Sequence, residues 1–169
     1  GIGAECARRF DALGARVWGT SRSGRAVEGV ERLITPDELV EVAPHVDDIV
    51  VTLPGTAQTR HLIGEDVLAA VRPGAVVTNV GRGSVIDEQA LLRALDDGRI
   101  AFAGLDVFEQ EPLPAASPLW AHPRVLVSPH TAALSAKEEE RIARRFAENA
   151  TRFLDGRELR AVVDTVEFY

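Results

Sequence analysis

Four short apolar runs, DDIVVTLP, AVVTNV, IAFAGLDVF and RVLVSPH, recur along the chain with helix-like stretches between them. A continuous apolar run bounded by Gly, Pro or Asp reads as a strand buried on both faces, the kind found in parallel sheets. Strands that alternate with helices are joined by right-handed crossovers, which place helices on both faces of one sheet. The pattern therefore predicts an α/β fold with a doubly wound parallel sheet. In such a sheet, the carboxyl ends of the strands border the ligand crevice.

The punctuation between the strands supports this reading. Thr35-Pro36-Asp37-Glu38 is a capping box with proline in the first helical turn. TAQTRHLIGEDVLAAVRPG reads as a loop and then a helix closed by Pro73-Gly74, and Asp87 caps a helix that carries Leu91, Leu92 and Leu95 and stops at Gly98. Ser135 and Glu138 make a second capping box, for a helix bearing Ile142, Phe146, Ala150, Phe153 and Leu154 and closed by Gly156. At the start, GIGAECARRFDALG is helical, with Gly3, Ala7, Phe10 and Leu13 on one stripe. GARVWGTSR follows as a strand around Val17-Trp18 with a polar end. A helix that opens directly on glycines implies a strand before Gly1. The expected division is a nucleotide-binding domain over 1–155, lacking its first strand, and a C-terminal tail over 156–169.

Composition narrows the partners. A net charge of −7 argues against nucleic acid, and no apolar stretch is long enough to span a bilayer. Cys6 stands alone, so no internal disulfide forms, which fits a reducing cytoplasm. The pattern suggests no metal site.

Chemistry gathers at two strand ends. The run IAFAGLDVF delivers Asp106 and, through EQEP, Glu111, while RVLVSPH delivers His130. A carboxylate beside an imidazole fixes the ring tautomer and favours its charged form, a proton donor near neutral pH. Arg82 sits between Gly81 and Gly83, where the glycines allow close backbone approach and the guanidinium can point across the crevice. His61 has no acid beside it in sequence and reads as a helix-start or surface histidine. His45 and His122 also read as surface residues.

These segments resemble those of the D-isomer-specific 2-hydroxy acid dehydrogenases. DVFEQEP followed by SPH is similar to the family's D-V-F-x-x-E-P and P-H, and NVGRGSVIDE to its N-x-x-R-G-x-x-V-D-E, with Ile86 for the usual Val. LPGTAQTRHLI resembles L-P-x-T-x-x-T, placing the threonines at Thr56 and Thr59, and Ile2-Gly3 match the last two residues of G-x-G-x-I-G. The resemblance implies a Rossmann-type domain in which Glu111 pairs with His130 and Arg82 holds the substrate carboxylate and keto oxygen. It implies cofactor contacts from Gly1, Ile2, Gly3, Ser21, Arg22, Leu53, Pro54, Thr59, Val80, Gly81, Arg82, Asp106, His130 and Ala132.

Ala132 stands where many members carry glycine, a feature of the glyoxylate/hydroxypyruvate-reductase-like branch. RELRAVVDTVEFY resembles the family's C-terminal segment, which returns toward the substrate domain. The implied activity is hydride transfer between NAD(P)H and a small 2-keto or 2-hydroxy acid by a homodimer. An NAD(H)-sensing corepressor and an inactive fragment are the alternatives, while Glu111 argues against a formate dehydrogenase. At the end of the second strand, Ser21 occupies the place where NAD-binding units carry an acid. Ser23, Arg22 and Arg25 lie beside it, so NADP is favoured over NAD.

Overall fold

The computed structural model describes residues 1–21 and 24–163, and the chain divides into two compact units, Gly1–His130 and Thr131–Tyr169. The first unit begins with helix α1 (Ile2–Ala12), which ends where Gly14 takes a φ of 87°. Strands β1 (Trp18–Thr20) and β2 (Arg32–Ile34) pair in parallel as a two-stranded sheet. Short helix α2 (Leu39–Val42) then leads to the second sheet, which has the order β3 (Asp48–Val51), β4 (Ala75–Asn79), β5 (Ile100–Leu105), β6 (Val125–Val127). Every pairing in it is parallel. Helix α3 (Glu65–Ala70) connects β3 to β4 and α4 (Glu88–Asp96) connects β4 to β5. This is the α/β Rossmann-like arrangement that the alternating pattern requires.

The caps act largely as the sequence dictates. The Thr35 N–H donates to Glu38 Oε2 at 2.6 Å, which starts the turn before α2. The Ala90 N–H donates to Asp87 Oδ1 at 2.9 Å and so caps α4. Leu68, Val77, Leu91, Leu95 and Ile100 form the buried core between the second sheet and helices α3 and α4. Truncating one of these leucines to Ala costs about 2–5 kcal/mol in a core of this kind.

Several expectations change. β3 is not buried on both faces: Val50 is 37% exposed, and only Val51 is fully covered. The cause is its position at a sheet edge, where β4 is its sole strand neighbour among the described residues. β1 is likewise paired only with β2, and a cavity of about 770 Å³ lies between the two edges, lined by Ala7 and Phe10 of α1, Trp18, Thr20, Val50 and Thr52. Segment Arg32–Ile34 is a strand that three residues with one charge could not announce. His122 is mostly buried: its Nδ1 accepts from the Arg124 N–H at 3.2 Å, and its Nε2 lies 3.4 Å from Asp96.

In the second unit, α5 (Glu138–Leu154) begins without the Ser135–Glu138 capping box. Ser135 Oγ accepts from the Lys137 N–H instead, at 3.2 Å, and three glutamates in the first turn complement the helix dipole. Gly156, with a φ of 68°, follows the helix. Asn149 then holds the chain at Arg160 through two hydrogen bonds of 2.9 Å.

Candidate active site

Arg82 is presented by a turn that the end of β4 builds. Asn79, only 1% exposed, accepts from the Gly81 N–H through Oδ1 and donates from Nδ2 to the Arg82 carbonyl, both at 3.0 Å. The side-chain amide thus satisfies both backbone groups flanking the arginine. The neighbouring glycines are needed because protein backbone crowds them. A Cβ at Gly81 would lie 2.6 Å from the Leu53 carbonyl oxygen, and one at Gly83 would lie 1.8 Å from the Phe108 carbonyl carbon. Gly-Arg-Gly therefore locks three strand ends together, with the arginine side chain exposed and its Nη1 donating to the Gly81 carbonyl at 2.8 Å.

Glu111 and His130 meet. His130 Nδ1 lies 2.7 Å from Glu111 Oε2, and Glu111 Oε1 accepts from the Phe108 N–H at 2.9 Å. Burial opposes ionisation of Glu111, but the Phe108 N–H, the His130 ring and the Arg82 charge together hold its carboxyl below the usual range. Glu111 therefore stands as a carboxylate at neutral pH, with one oxygen fixed to the backbone and the other on the imidazole. His130 adopts a φ of 56°, an unfavourable region for a residue with a Cβ. Such strain at a surface-accessible imidazole marks a position held by its surroundings.

Asp106 does not join this pair. It is 5% exposed and accepts from Ser128 Oγ at 2.5 Å, while its N–H donates to the Asn79 carbonyl at 3.0 Å. It ties the ends of β4, β5 and β6 together. Sequence alone does not single out Asn79 and Ser128. Their only signal is a polar residue closing each apolar run.

The remaining candidates lie at several places in the chain. Gly3, Ser21 and Leu53 line the cavity between β1 and β3. Gly1 is the N-cap of α1 and makes no side-chain cap, so Ile2 and Gly3 open a helix whose first-turn N–H groups suit an anionic group such as a pyrophosphate. A dinucleotide fits this donor set. Pro54 and Thr59 belong to one loop, in which Thr59 Oγ1 donates to the Pro54 carbonyl at 2.6 Å, and the Val80 N–H donates to the Val51 carbonyl at 3.0 Å. Ala132 lies in the second unit. Arg22 and Ser23 lie outside the described residues. Among the described residues, no group of His, Cys, Asp or Glu could hold a metal ion, and no helix is long and apolar enough to cross a membrane.

His61 has an acid after all, brought by a loop distant in sequence. Its Nε2 lies 3.2 Å from Glu109 Oε1, off the line of a hydrogen bond and buried. Sequence neighbours could not reveal this, because the two residues follow different strands.

Comparison with known proteins places the chain in a family. Residues 1–132 match the family described as D-isomer specific 2-hydroxyacid dehydrogenase, NAD binding domain. Glyoxylate/hydroxypyruvate reductase A of Salmonella paratyphi B is 42% identical over 140 residues, covering 82% of this chain and 44% of that protein. The chain thus spans less than half the length of that curated relative. A D-isomer specific 2-hydroxyacid dehydrogenase from Xanthobacter autotrophicus, solved with NADPH and MES, superposes with a TM-score of 0.89 at 40% identity, covering 99% of this chain and 69% of that one. An NADPH-dependent glyoxylate/hydroxypyruvate reductase from Sinorhizobium meliloti, solved with NADP and sulfate, has a TM-score of 0.89 at 35% identity over 99% of this chain and 54% of its own. On this match of sequence and fold, the chain belongs to the D-isomer specific 2-hydroxyacid dehydrogenase family.

Proposed function

We propose that the full-length enzyme containing this chain reduces a small 2-keto acid of the glyoxylate/hydroxypyruvate type with a nicotinamide cofactor, NADP in preference to NAD. The observation that carries the reading is the 2.7 Å contact of His130 Nδ1 with Glu111, set beside an arginine whose charge reaches the same carboxylate. A bound reduced nicotinamide would supply the hydride for the carbonyl carbon. His130, with Nδ1 engaged by Glu111, presents Nε2 and gives its proton to the carbonyl oxygen as that oxygen gains the electron pair of the C=O bond. Glu111 remains ionised and stabilises the imidazolium before transfer. Arg82 binds the substrate carboxylate through its fork of N–H donors, which lysine cannot copy.

Gly1, Ile2, Gly3, Leu53, Pro54, Thr59, Val80, Gly81 and Asp106 form or support the cofactor cleft. Residues 1–155 serve as the nucleotide-binding domain and 156–169 as a tail toward a substrate domain. A further strand fills the cavity between β1 and β3, and the active form is a homodimer in the cytoplasm.

The NADP preference rests on Ser21, Arg22 and Arg25, where a 2′-phosphate meets hydroxyl and guanidinium donors in place of a carboxylate. Relatives solved with NADPH or NADP support it. The test is the ratio of kcat/KM for NADPH and NADH in the full-length enzyme, alone and with Ser21→Asp and Arg22→Ala combined. NADPH preference that moves toward NADH in the variant is expected. An unmodified enzyme that prefers NADH overturns the cofactor assignment.

A further inference from the structure

The loop after β3, the turn after β4 and the loop after β5 are joined at His61. The His61 N–H donates to the Ser84 carbonyl at 2.8 Å, the Ile63 N–H to the Val85 carbonyl at 3.0 Å and the Asp87 N–H to the Ile63 carbonyl at 3.1 Å. Ile63 and Ile86 form a parallel bridge. The first loop is therefore stitched along the segment that follows Arg82. The His61 side chain reaches the third segment, with Nε2 3.2 Å from Glu109 Oε1.

Glu109 is itself built in. Its Oε1 accepts from the Glu88 N–H at 3.0 Å, at the first residue of α4, and its own N–H donates to Glu88 Oε1 at 2.6 Å. Two carboxylates so close repel each other. Burial pushes the Glu88 carboxyl up, the Glu109 N–H pulls against this, and the Glu109 charge pushes it further. The imidazole of His61 stands against this negative pair. Its backbone φ of 50° is unfavourable for a non-glycine residue, and nothing in the loop's own sequence requires a histidine there. Two residues beyond Glu109, Glu111 receives the Phe108 N–H and grips His130.

We propose that His61 is a positioning residue: its imidazole, packed with Nε2 3.2 Å from Glu109 Oε1, backs Glu109 by close contact and through Glu109 steadies both the loop that presents Glu111 to His130 and the turn that presents Arg82. Its effect on turnover rests on the 2-keto acid reductase reading, whereas its effect on the loop does not. Asparagine tolerates the left-handed backbone, so His61→Asn removes the imidazole without adding backbone strain.

In the full-length enzyme, His61→Asn and Glu109→Gln should each lower kcat roughly ten-fold while the cofactor KM stays put, since small displacements of reacting groups act on the chemical step. The double variant should be no slower than either single one, because the two act as a unit. Hydrogen exchange at the Phe108 amide should quicken in His61→Asn, while the strand amides of Val77 and Ala103 are unchanged. An unchanged kcat in His61→Asn, single effects that multiply in the double, or an unchanged Phe108 amide each overturn the proposal. If the unmodified enzyme reduces no 2-keto acid, the reductase reading falls, and exchange at Phe108 alone then decides the role of His61.

Discussion

Gly83 lies so close to Phe108 that a Cβ on the glycine would stand 1.8 Å from the Phe108 carbonyl carbon and 2.5 Å from the Glu109 nitrogen. Backbone contact at this distance leaves no rotamer that could relieve a side chain, so one loop must move. Gly83→Ala should cost stability by about 1–3 kcal/mol, the range for overpacking a tight site. It should also displace Arg82 and so raise the KM for the keto acid. Urea denaturation with substrate kinetics on the full-length enzyme checks both effects. An unchanged midpoint and KM would show that the loops are not in contact.

Glu88 gives a pH dependence of definite sign. Its carboxyl is raised, first by burial and then by the charge of Glu109, so the ionised form costs the folded state. That cost is absent below the unfolded value of about 4.3, grows as pH rises through the raised folded value and is complete above it. Glu88→Gln keeps an acceptor for the Glu109 N–H and removes the charge. The variant should therefore gain most relative to the parent at neutral pH, and the difference should shrink as pH falls toward the unfolded value. Melting temperatures of both proteins across this range test the point. A stability difference that does not change with pH would contradict it.

The edges of β1 and β3 bear on what this chain does alone. Each is paired on one side only among the described residues, and the cavity between them is lined by apolar side chains of Phe10, Trp18 and Val50. Unpaired edges beside apolar surface recruit other chains. Residues 1–169 alone should self-associate and lack dehydrogenase turnover. Sedimentation velocity across a concentration series and a turnover assay are the measurements, and a monomeric, cooperatively melting, active preparation would refute the expectation.

How much of the fold and site is legible in the sequence depends on range. NVGRGSVIDE announces a turn and a capped helix, and the Asp87 cap and Gly98 stop are local features that the structure contains. Glu111 and His130 can be brought together because each lies in a segment just after a strand of a parallel sheet, where strand ends converge, and the family resemblance pairs them. What fails to show is set by other segments. Val50 looks like a buried residue until its edge position is known, and His122 looks polar until Asp96 and Arg124 close around it. His61 has no visible acid because Glu109 arrives from beyond two more strands. Ser135 loses its capping role to a register of α5 that starts after Lys137.

Proton donation by His130 to a keto oxygen, with Arg82 holding the adjacent carboxylate, is the step on which the proposed function stands or falls. It is probed by steady-state reduction of glyoxylate and hydroxypyruvate by the full-length enzyme, compared with His130→Ala. The expected result is a fall in kcat of roughly 10²–10⁴-fold, the range for a lost general acid, with cofactor binding retained. Arg82→Lys should likewise fail to restore the carboxylate site. Near-normal turnover of both acids by His130→Ala would contradict the assignment.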